Sequence, residues 1–195
     1  MWAAAAEHNL PISLHVRGRT TTRVGPVEGL SPSPVSEAAY LSVVDMQLDE
    51  PLATTVFSGV LERYPSLKVV LGEGGIGWIP FVLEALDYQF IGNRVAEERP
   101  DLDMLPSEYF ARNVYGCYWF EQIAPRRLID KVGEDNILFE TDFPHPTSLF
   151  GEEVHKRIRA GLNECKESGK RKILWENARR LYKVELPEAA VQTIG

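Results

Sequence analysis

Four side chains of types that bind metal ions lie beside short apolar stretches of the sequence. His15, Glu73 and Asp142 each stand at the end of such a stretch, and His145 follows Asp142 by three residues. Imidazole nitrogens and carboxylate oxygens are ligands that zinc and related divalent cations take from proteins. A bound cation lowers the pKa of its water and polarises a carbonyl or carboxylate group of a substrate. If the chain brings these groups together, they can carry metal-dependent chemistry.

Each of these residues also has a purely structural explanation. A histidine at the end of a strand is more often hydrogen-bonded into the fold than bound to a metal. Asp142, which precedes Phe-Pro, is of a type that caps turns. Glu73 lies among three glycines, which a plain strand-to-helix turn would also require. His145 lies between two prolines and would either present its ring to a site or stiffen the loop.

The elements that must position these residues alternate between strand and helix. Short apolar runs predict strands at residues 11–16, 67–71, 113–119 and 136–142. Helical spacing of apolar residues predicts helices at residues 35–47, 51–63, 79–90 and 122–132, and at about 151–168 and 172–183. Residues 1–8 have the pattern of the end of a helix, and residues 17–34 are typical of a long loop.

This alternation predicts an α/β fold with a parallel sheet and right-handed crossovers. An open, flavodoxin-like sheet and part of a (β/α)8 barrel both satisfy the pattern. In either fold, reactive groups gather at the carboxyl ends of the strands. The chain has 195 residues, whereas a closed barrel usually needs roughly 250. We therefore expect one β/α domain over residues 1–195, with only half of the strands of a barrel.

Composition and charge narrow the class of protein. Apolar residues make up 44% of the chain and charged residues 25%, as in a folded domain. The net charge of −7 is spread along the sequence, and no basic stripe indicates a nucleic-acid partner. The two cysteines form no disulfide framework, and no run reaches the ~18 apolar residues of a membrane span. We expect a cytoplasmic protein that acts on a small molecule, with no nucleic-acid or membrane partner.

Four segments together resemble the amidohydrolase superfamily, in the branch of aminocarboxymuconate semialdehyde decarboxylase and the resorcylate-type decarboxylases. They are LPISLHV at 10–16, LGEGGIGWIP at 71–80, ETDFPH at 140–145 and WENARRLY at 175–182. The resemblance implies strands five to eight of a (β/α)8 TIM-type barrel, the C-terminal half of the domain. It implies a divalent cation, usually zinc, bound by His15 and Asp142. In this family the aspartate also handles a proton.

Two departures from the family pattern affect the expected chemistry. The His-x-His or Glu-x-His pair of the first barrel strand has no counterpart in this chain, so we expect weak metal binding. Glu73 stands where the decarboxylases often have histidine, and a carboxylate can deprotonate a metal-bound water but cannot donate an imidazole N–H. We therefore expect a metal-dependent hydrolase of small carbonyl or carboxylated substrates, with Asp142 and Glu73 as catalytic residues. Decarboxylation by the same site is the alternative.

Two further residues are expected to contact the substrate. Arg17 lies two positions after His15, in strand register with it, and its guanidinium can bind a substrate carboxylate. His145 follows the catalytic aspartate closely enough to reach the same substrate.

Two other classes of function stay open at this point. In one, the chain is a non-catalytic half-barrel that associates with itself or with a separate N-terminal half, because half a barrel exposes two sheet edges and part of an apolar core. In the other, it is an open α/β binding module without metal chemistry.

Overall fold

The computed structural model describes residues 1–16 and 33–185 as alternating strands and helices. The strands are β1 (Ile12–His15), β2 (Val69–Gly72), β3 (Val114–Tyr118) and β4 (Ile137–Phe139). The helices are α1 (Trp2–Glu7), α2 (Pro34–Val44), α3 (Asp49–Phe57), α4 (Val60–Arg63), α5 (Ile79–Gly92), α6 (Val95–Glu98), α7 (Pro106–Asn113), α8 (Ile123–Arg127), α9 (Ile129–Val132), α10 (Glu152–Leu162), α11 (Glu167–Arg171) and α12 (Asn177–Tyr182). None of the described helices is long and apolar enough to cross a membrane.

The strands form a parallel sheet in the order β1, β2, β3, β4. Leu14 lies opposite Leu71, Leu71 opposite Gly116, and Gly116 opposite Ile137. The predicted parallel α/β fold is confirmed. Over the described strands the order never reverses, whereas flavodoxin-like sheets reverse at a switch point. The topology therefore favours a barrel-type arrangement over an open doubly wound sheet.

One face of the sheet packs against the helices and forms the main core. Leu71, Val114 and Ile137 are fully buried there. Gly116 leaves room on this face, because a Cβ atom at this position would come within 2.7 Å of Ile79 Cδ1. The missing side chain lets the start of α5 lie close against β3.

The opposite face carries a second, smaller cluster. Val70, Tyr115, Cys117 and Leu138 belong to it together with Leu181 of α12. In a closed barrel this face would point into the interior. These side chains are only 2–7% exposed, so this face does not show the exposed apolar surface expected of a bare half-barrel.

Three buried asparagines tie each β/α unit to the unit before it. Asn113 Nδ2, just before β3, donates to a backbone carbonyl near the start of β2 at 2.7 Å. Asn136 Nδ2 donates to the first carbonyl of β3 at 2.8 Å, and Asn177 Nδ2 donates to the first carbonyl of β4 at 2.9 Å. Leaving such a buried group unsatisfied costs about 1–3 kcal/mol. The asparagines therefore fix the stagger of the strands at their amino-terminal ends.

The predicted elements are present with different bounds. The predicted strand 136–142 is too long, because β4 ends at Phe139 and the backbone is left-handed at Asp142 (φ 58°). The predicted helix 51–63 is divided at Gly59, whose φ is 75°. The predicted helices 122–132 and 151–168 are also each divided in two. Ser33 caps α2 by accepting the Ser36 N–H at 3.2 Å, and residues 17–32 of the predicted loop lie outside the described residues.

Candidate metal centre

Four ionisable side chains form a line at the carboxyl end of the sheet. His15 Nε2 lies 3.0 Å from Glu73 Oε1, and His145 Nδ1 lies 2.9 Å from Asp142 Oδ1. The carboxyl groups of Glu73 and Asp142 lie between the two imidazoles, and burial, followed by the charge of Glu73, raises the pKa of Asp142. Ligand atoms of Glu73, Asp142 and His145 all lie within 4.8 Å of one another. One divalent cation can therefore contact these three, with His15 next to them through Glu73.

The parallel register explains why distant residues meet here. His15 is the last residue of β1 and pairs with Gly72, the last residue of β2, so that Glu73 follows directly beside it. Asp142 lies three residues beyond β4, in a turn where its carbonyl accepts the His145 N–H at 3.0 Å. The turn therefore holds His145 beside Asp142.

The backbone is strained at both carboxylates of the line. Glu73 has a φ of 57° and Asp142 a φ of 58°, both in the left-handed region. This conformation costs a non-glycine residue about 1–2 kcal/mol, and aspartate tolerates it better than glutamate does. Such strain is concentrated at functional sites, where it fixes the direction of a side chain. Its occurrence at both carboxylates marks this end of the sheet as a site.

His15 is held in the tautomer that leaves its outer nitrogen available. Its Nδ1 donates to the Val16 carbonyl at 2.6 Å. This bond, followed by the charge of Glu73, raises the pKa of His15 against the opposing effect of burial. A ring N–H bonded to a backbone carbonyl is the usual support for a metal-binding histidine. His15 Nε2 is thus oriented towards the carboxylates.

Two further carboxylates approach the line, and the sequence interpretation missed both. Glu140 accepts the Glu73 N–H at 3.0 Å, and burial raises the pKa of Glu140 to about 7. Asp45 follows α2, and burial together with the nearby acidic groups raises its pKa to about 6. The position of Glu140, two residues before Asp142 on the same strand face, could have indicated it. No local signal marks Asp45, because its approach depends on how α2 packs.

Glu121, which follows β3, shapes the loop after β2. Its carboxylate accepts the Gly77 N–H at 2.8 Å and the Ile76 N–H at 3.0 Å. Burial raises the pKa of Glu121, although these two bonds act in the opposite direction. The loop that carries Glu73 is therefore anchored to β3 as well as to β4.

The residues proposed from sequence have different places in the structure. Glu73, Asp142 and His145 are brought together, and His15 joins them through Glu73. His145, which was expected to contact substrate, is bonded to Asp142 and keeps a side chain that is 62% exposed. Arg17 lies outside the described residues.

Comparison with known proteins identifies the class. The family model for amidohydrolases matches residues 1–184, so the chain belongs to the amidohydrolase family. It is 29% identical over 132 residues to the 2-amino-3-carboxymuconate-6-semialdehyde decarboxylase of Dictyostelium discoideum, covering 65% of this chain and 34% of that protein. The family assignment agrees with the resemblance seen in the sequence, including its decarboxylase branch.

Two solved structures share the fold. An amidohydrolase from Mycobacterium avium subsp. paratuberculosis superposes with a TM-score of 0.72 at 26% identity, covering 95% of this chain and 45% of that one. A dihydroxybenzoic acid decarboxylase from Polaromonas sp. JS666, solved with manganese and 2-nitroresorcinol, superposes with a TM-score of 0.66 at 21% identity, covering 96% and 54%. The chain thus spans about half the length of these solved relatives and about a third of the curated one.

The crowding of carboxylates predicts how stability depends on pH without metal. The pKa of Glu140 is raised from 4.5 to about 7 and that of Asp45 from 3.8 to about 6, so the folded state binds these protons more tightly than the unfolded state does. Their contribution is therefore present below the unfolded pKa and lost as the pH rises through the folded pKa. We expect the free energy of unfolding, measured by urea titration in EDTA, to fall between pH 4.5 and about 7.

Glu140→Gln is the matched control for this measurement, because glutamine cannot titrate. Its free energy of unfolding should fall less steeply over the same pH range. Equal slopes in the two proteins, or a wild-type stability that rises over this range, would contradict the origin assigned to the effect.

Proposed function

We propose that this chain carries part of the active site of a metal-dependent decarboxylase that acts on a small carboxylated substrate. The observation that supports it most is the close approach of the Glu73 and Asp142 carboxyl groups, which have ligand atoms within 4.8 Å of each other and an imidazole on each side. Two carboxylates in contact need a proton or a cation between them. A divalent cation with one or two open positions meets that need and leaves room for a substrate carboxylate.

Decarboxylation is favoured over the hydrolysis expected from the sequence. That expectation treated Glu73 as a free base for a metal-bound water. In the structure, the Glu73 carboxylate is paired with His15 and lies close to Asp142. It is therefore not free to act as a base. The Dictyostelium and Polaromonas relatives are both named as decarboxylases. Hydrolysis is the second candidate.

The donor set supports a divalent cation held by Glu73, Asp142 and His145, with His15 next to them through Glu73. Two carboxylates and an imidazole suit manganese as well as zinc. The Polaromonas relative was solved with manganese, so the zinc expected from the sequence has no specific support. When bound, such a cation would neutralise the carboxylates and polarise the carboxylate of a substrate.

Asp142 is the residue of this chain best placed to deliver a proton. Loss of carbon dioxide leaves an electron pair on the substrate carbon, and that carbon must take up a proton. The Asp142 side chain is only 8% exposed, so bulk water has little access to its carboxyl group. His145 holds Oδ1 at 2.9 Å and so orients the carboxyl group. Asp142 can thus carry a proton to the carbon and regain one from water.

Release of carbon dioxide tests this function directly. With Mn2+ present, we expect the protein to release carbon dioxide from 2,6-dihydroxybenzoate or a related carboxylated substrate. Asp142→Asn keeps the shape of the side chain and should lower the rate by at least ~100-fold, because it removes a ligand of the cation together with the proton donor. His155→Ala, on α10, is the control and should leave the rate unchanged. Hydrolysis of a lactone substrate without release of carbon dioxide would contradict decarboxylation.

We also propose that the four strands correspond to strands five to eight of a barrel and that a second copy of the chain can pair with their edges. Within the described residues, β1 and β4 each have a neighbouring strand on one side only. Unpaired N–H and C=O groups at such edges favour association with further strands. The site would then gain groups from the added strands.

Ser13→Pro tests this association. The Ile12 N–H donates to the Lys68 carbonyl of the neighbouring segment at 2.8 Å, so alternation along β1 turns the Ser13 N–H towards the free edge. Proline at residue 13 removes that donor and leaves the pairing of β1 with β2 in place. Sedimentation should show a dimer for the wild type and for Ser13→Ala, and a monomer for Ser13→Pro. A wild-type monomer at all concentrations would contradict the pairing.

A further inference from the structure

We infer that Glu140 is a positioning residue, which sets the backbone and thereby the carboxylate of Glu73 at the metal centre. This inference rests on the metal centre proposed above. It assigns Glu140 a function that is distinct from metal binding. The inference is argued from the hydrogen bonds of Glu140 with Tyr118 and Glu73 and from the small residues on the same face of the sheet.

Glu140 links two strands that are not neighbours in the sheet. Its backbone N–H donates to the Tyr118 carbonyl at 3.0 Å, which continues the pairing of β4 with β3 by one residue. Its side chain therefore points to the same face as Leu138, two positions earlier. From there its Oε1 accepts the Glu73 N–H at the end of β2, at 3.0 Å. The side chain thus crosses over β3, which separates these two strands.

The residue beneath Glu140 permits this crossing and supports it. Cys117, on β3 between these two strands, belongs to the same face. Cys117 is buried, and its small side chain leaves space above the strand. Gly72, at the end of β2, adds no side chain to this face. A bulkier residue at position 117 would push the carboxylate away from the Glu73 amide.

The bond falls at the strained position of the loop. Glu73 has a left-handed backbone, with a φ of 57°, which glutamate adopts at a cost. A hydrogen bond to a buried carboxyl oxygen can offset part of such a cost. By fixing the Glu73 N–H, Glu140 fixes the direction in which the Glu73 side chain leaves the backbone, towards His15 and Asp142.

Glu140 is a support for this centre and not one of its ligands. Among the described residues, the group whose ligand atoms lie within 4.8 Å of one another consists of Glu73, Asp142 and His145. The Glu140 carboxylate is already engaged by the Glu73 N–H. Supports of this kind commonly change metal affinity by about 10–100-fold when they are removed.

Two measurements on two variants test the inference. Glu140→Ala removes the acceptor, whereas Glu140→Gln keeps a carbonyl oxygen that can accept the same bond. In Glu140→Ala, hydrogen exchange at the Glu73 amide, followed by NMR, should accelerate by at least ~10-fold, and Mn2+ affinity, measured by electron paramagnetic resonance, should weaken by about 10–100-fold. Glu140→Gln should restore both values to within about 3-fold of the wild type.

Glu121→Ala is the matched control, because Glu121 also accepts amides of this loop. It should accelerate exchange at Ile76 and Gly77, to which Glu121 is bonded, and leave the Glu73 amide protected. If Glu140→Ala does not fold, Cys117→Val provides a second route, since its branched side chain displaces the carboxylate without deleting it. The same loss of Glu73 protection and of Mn2+ affinity is then expected.

The outcomes separate this inference from the proposed function. Unchanged Glu73 exchange in Glu140→Ala overturns the inference, as does faster exchange with unchanged Mn2+ affinity. A wild type that binds no Mn2+, but whose Glu73 amide still depends on Glu140, contradicts the metal centre and leaves Glu140 as the residue that sets this loop.

Discussion

The contact between the Glu73 and Asp142 carboxyl groups is the interaction around which the site is organised. Two carboxylates in contact repel each other unless a proton or a cation lies between them. The structure adds Glu140 and Asp45 nearby, with the pKa of each raised to about 7 and about 6. Stability of the fold alone does not explain why so many acidic groups lie close together. A positive charge at the centre accounts for the arrangement, and the two flanking imidazoles are suited to bind the same ion.

The sheet supplies the rigidity that this crowding requires. Parallel strands in register place the carboxyl ends of β1, β2 and β4 at the same end of the sheet. Buried asparagines fix the stagger of the strands at their amino-terminal ends. Left-handed backbone at Glu73 and Asp142 then turns their side chains towards each other. Hydrogen bonds from Glu140 and Glu121 hold the loop after β2 against two different strands. The packing of the sheet and of the loop after β2 therefore holds these carboxylates close together despite their mutual repulsion.

Much of this arrangement could be predicted from the sequence, because the signals are local. Apolar runs located the strands, helical spacing located α5, and the Ser33 cap located the start of α2. The early end of β4 was missed, since residues 140–142 continue the pattern of a strand while the backbone turns away. Asp45 could not be found, because its approach depends on tertiary packing. The expectation of hydrolysis depends on a free Glu73 carboxylate, and the sequence alone does not reveal that Glu73 contacts His15.

The metal content of the purified protein is the direct test of a cation held between Glu73 and Asp142. Elemental analysis should compare the wild type with Asp142→Asn after both have been dialysed to equilibrium against the same Mn2+ solution, with the metal content of the dialysis solution subtracted. We expect about one equivalent of bound cation in the wild type, as for one shared site, and its loss in the variant. Equal metal content in the two proteins, or none in either, would contradict a cation held between Glu73 and Asp142.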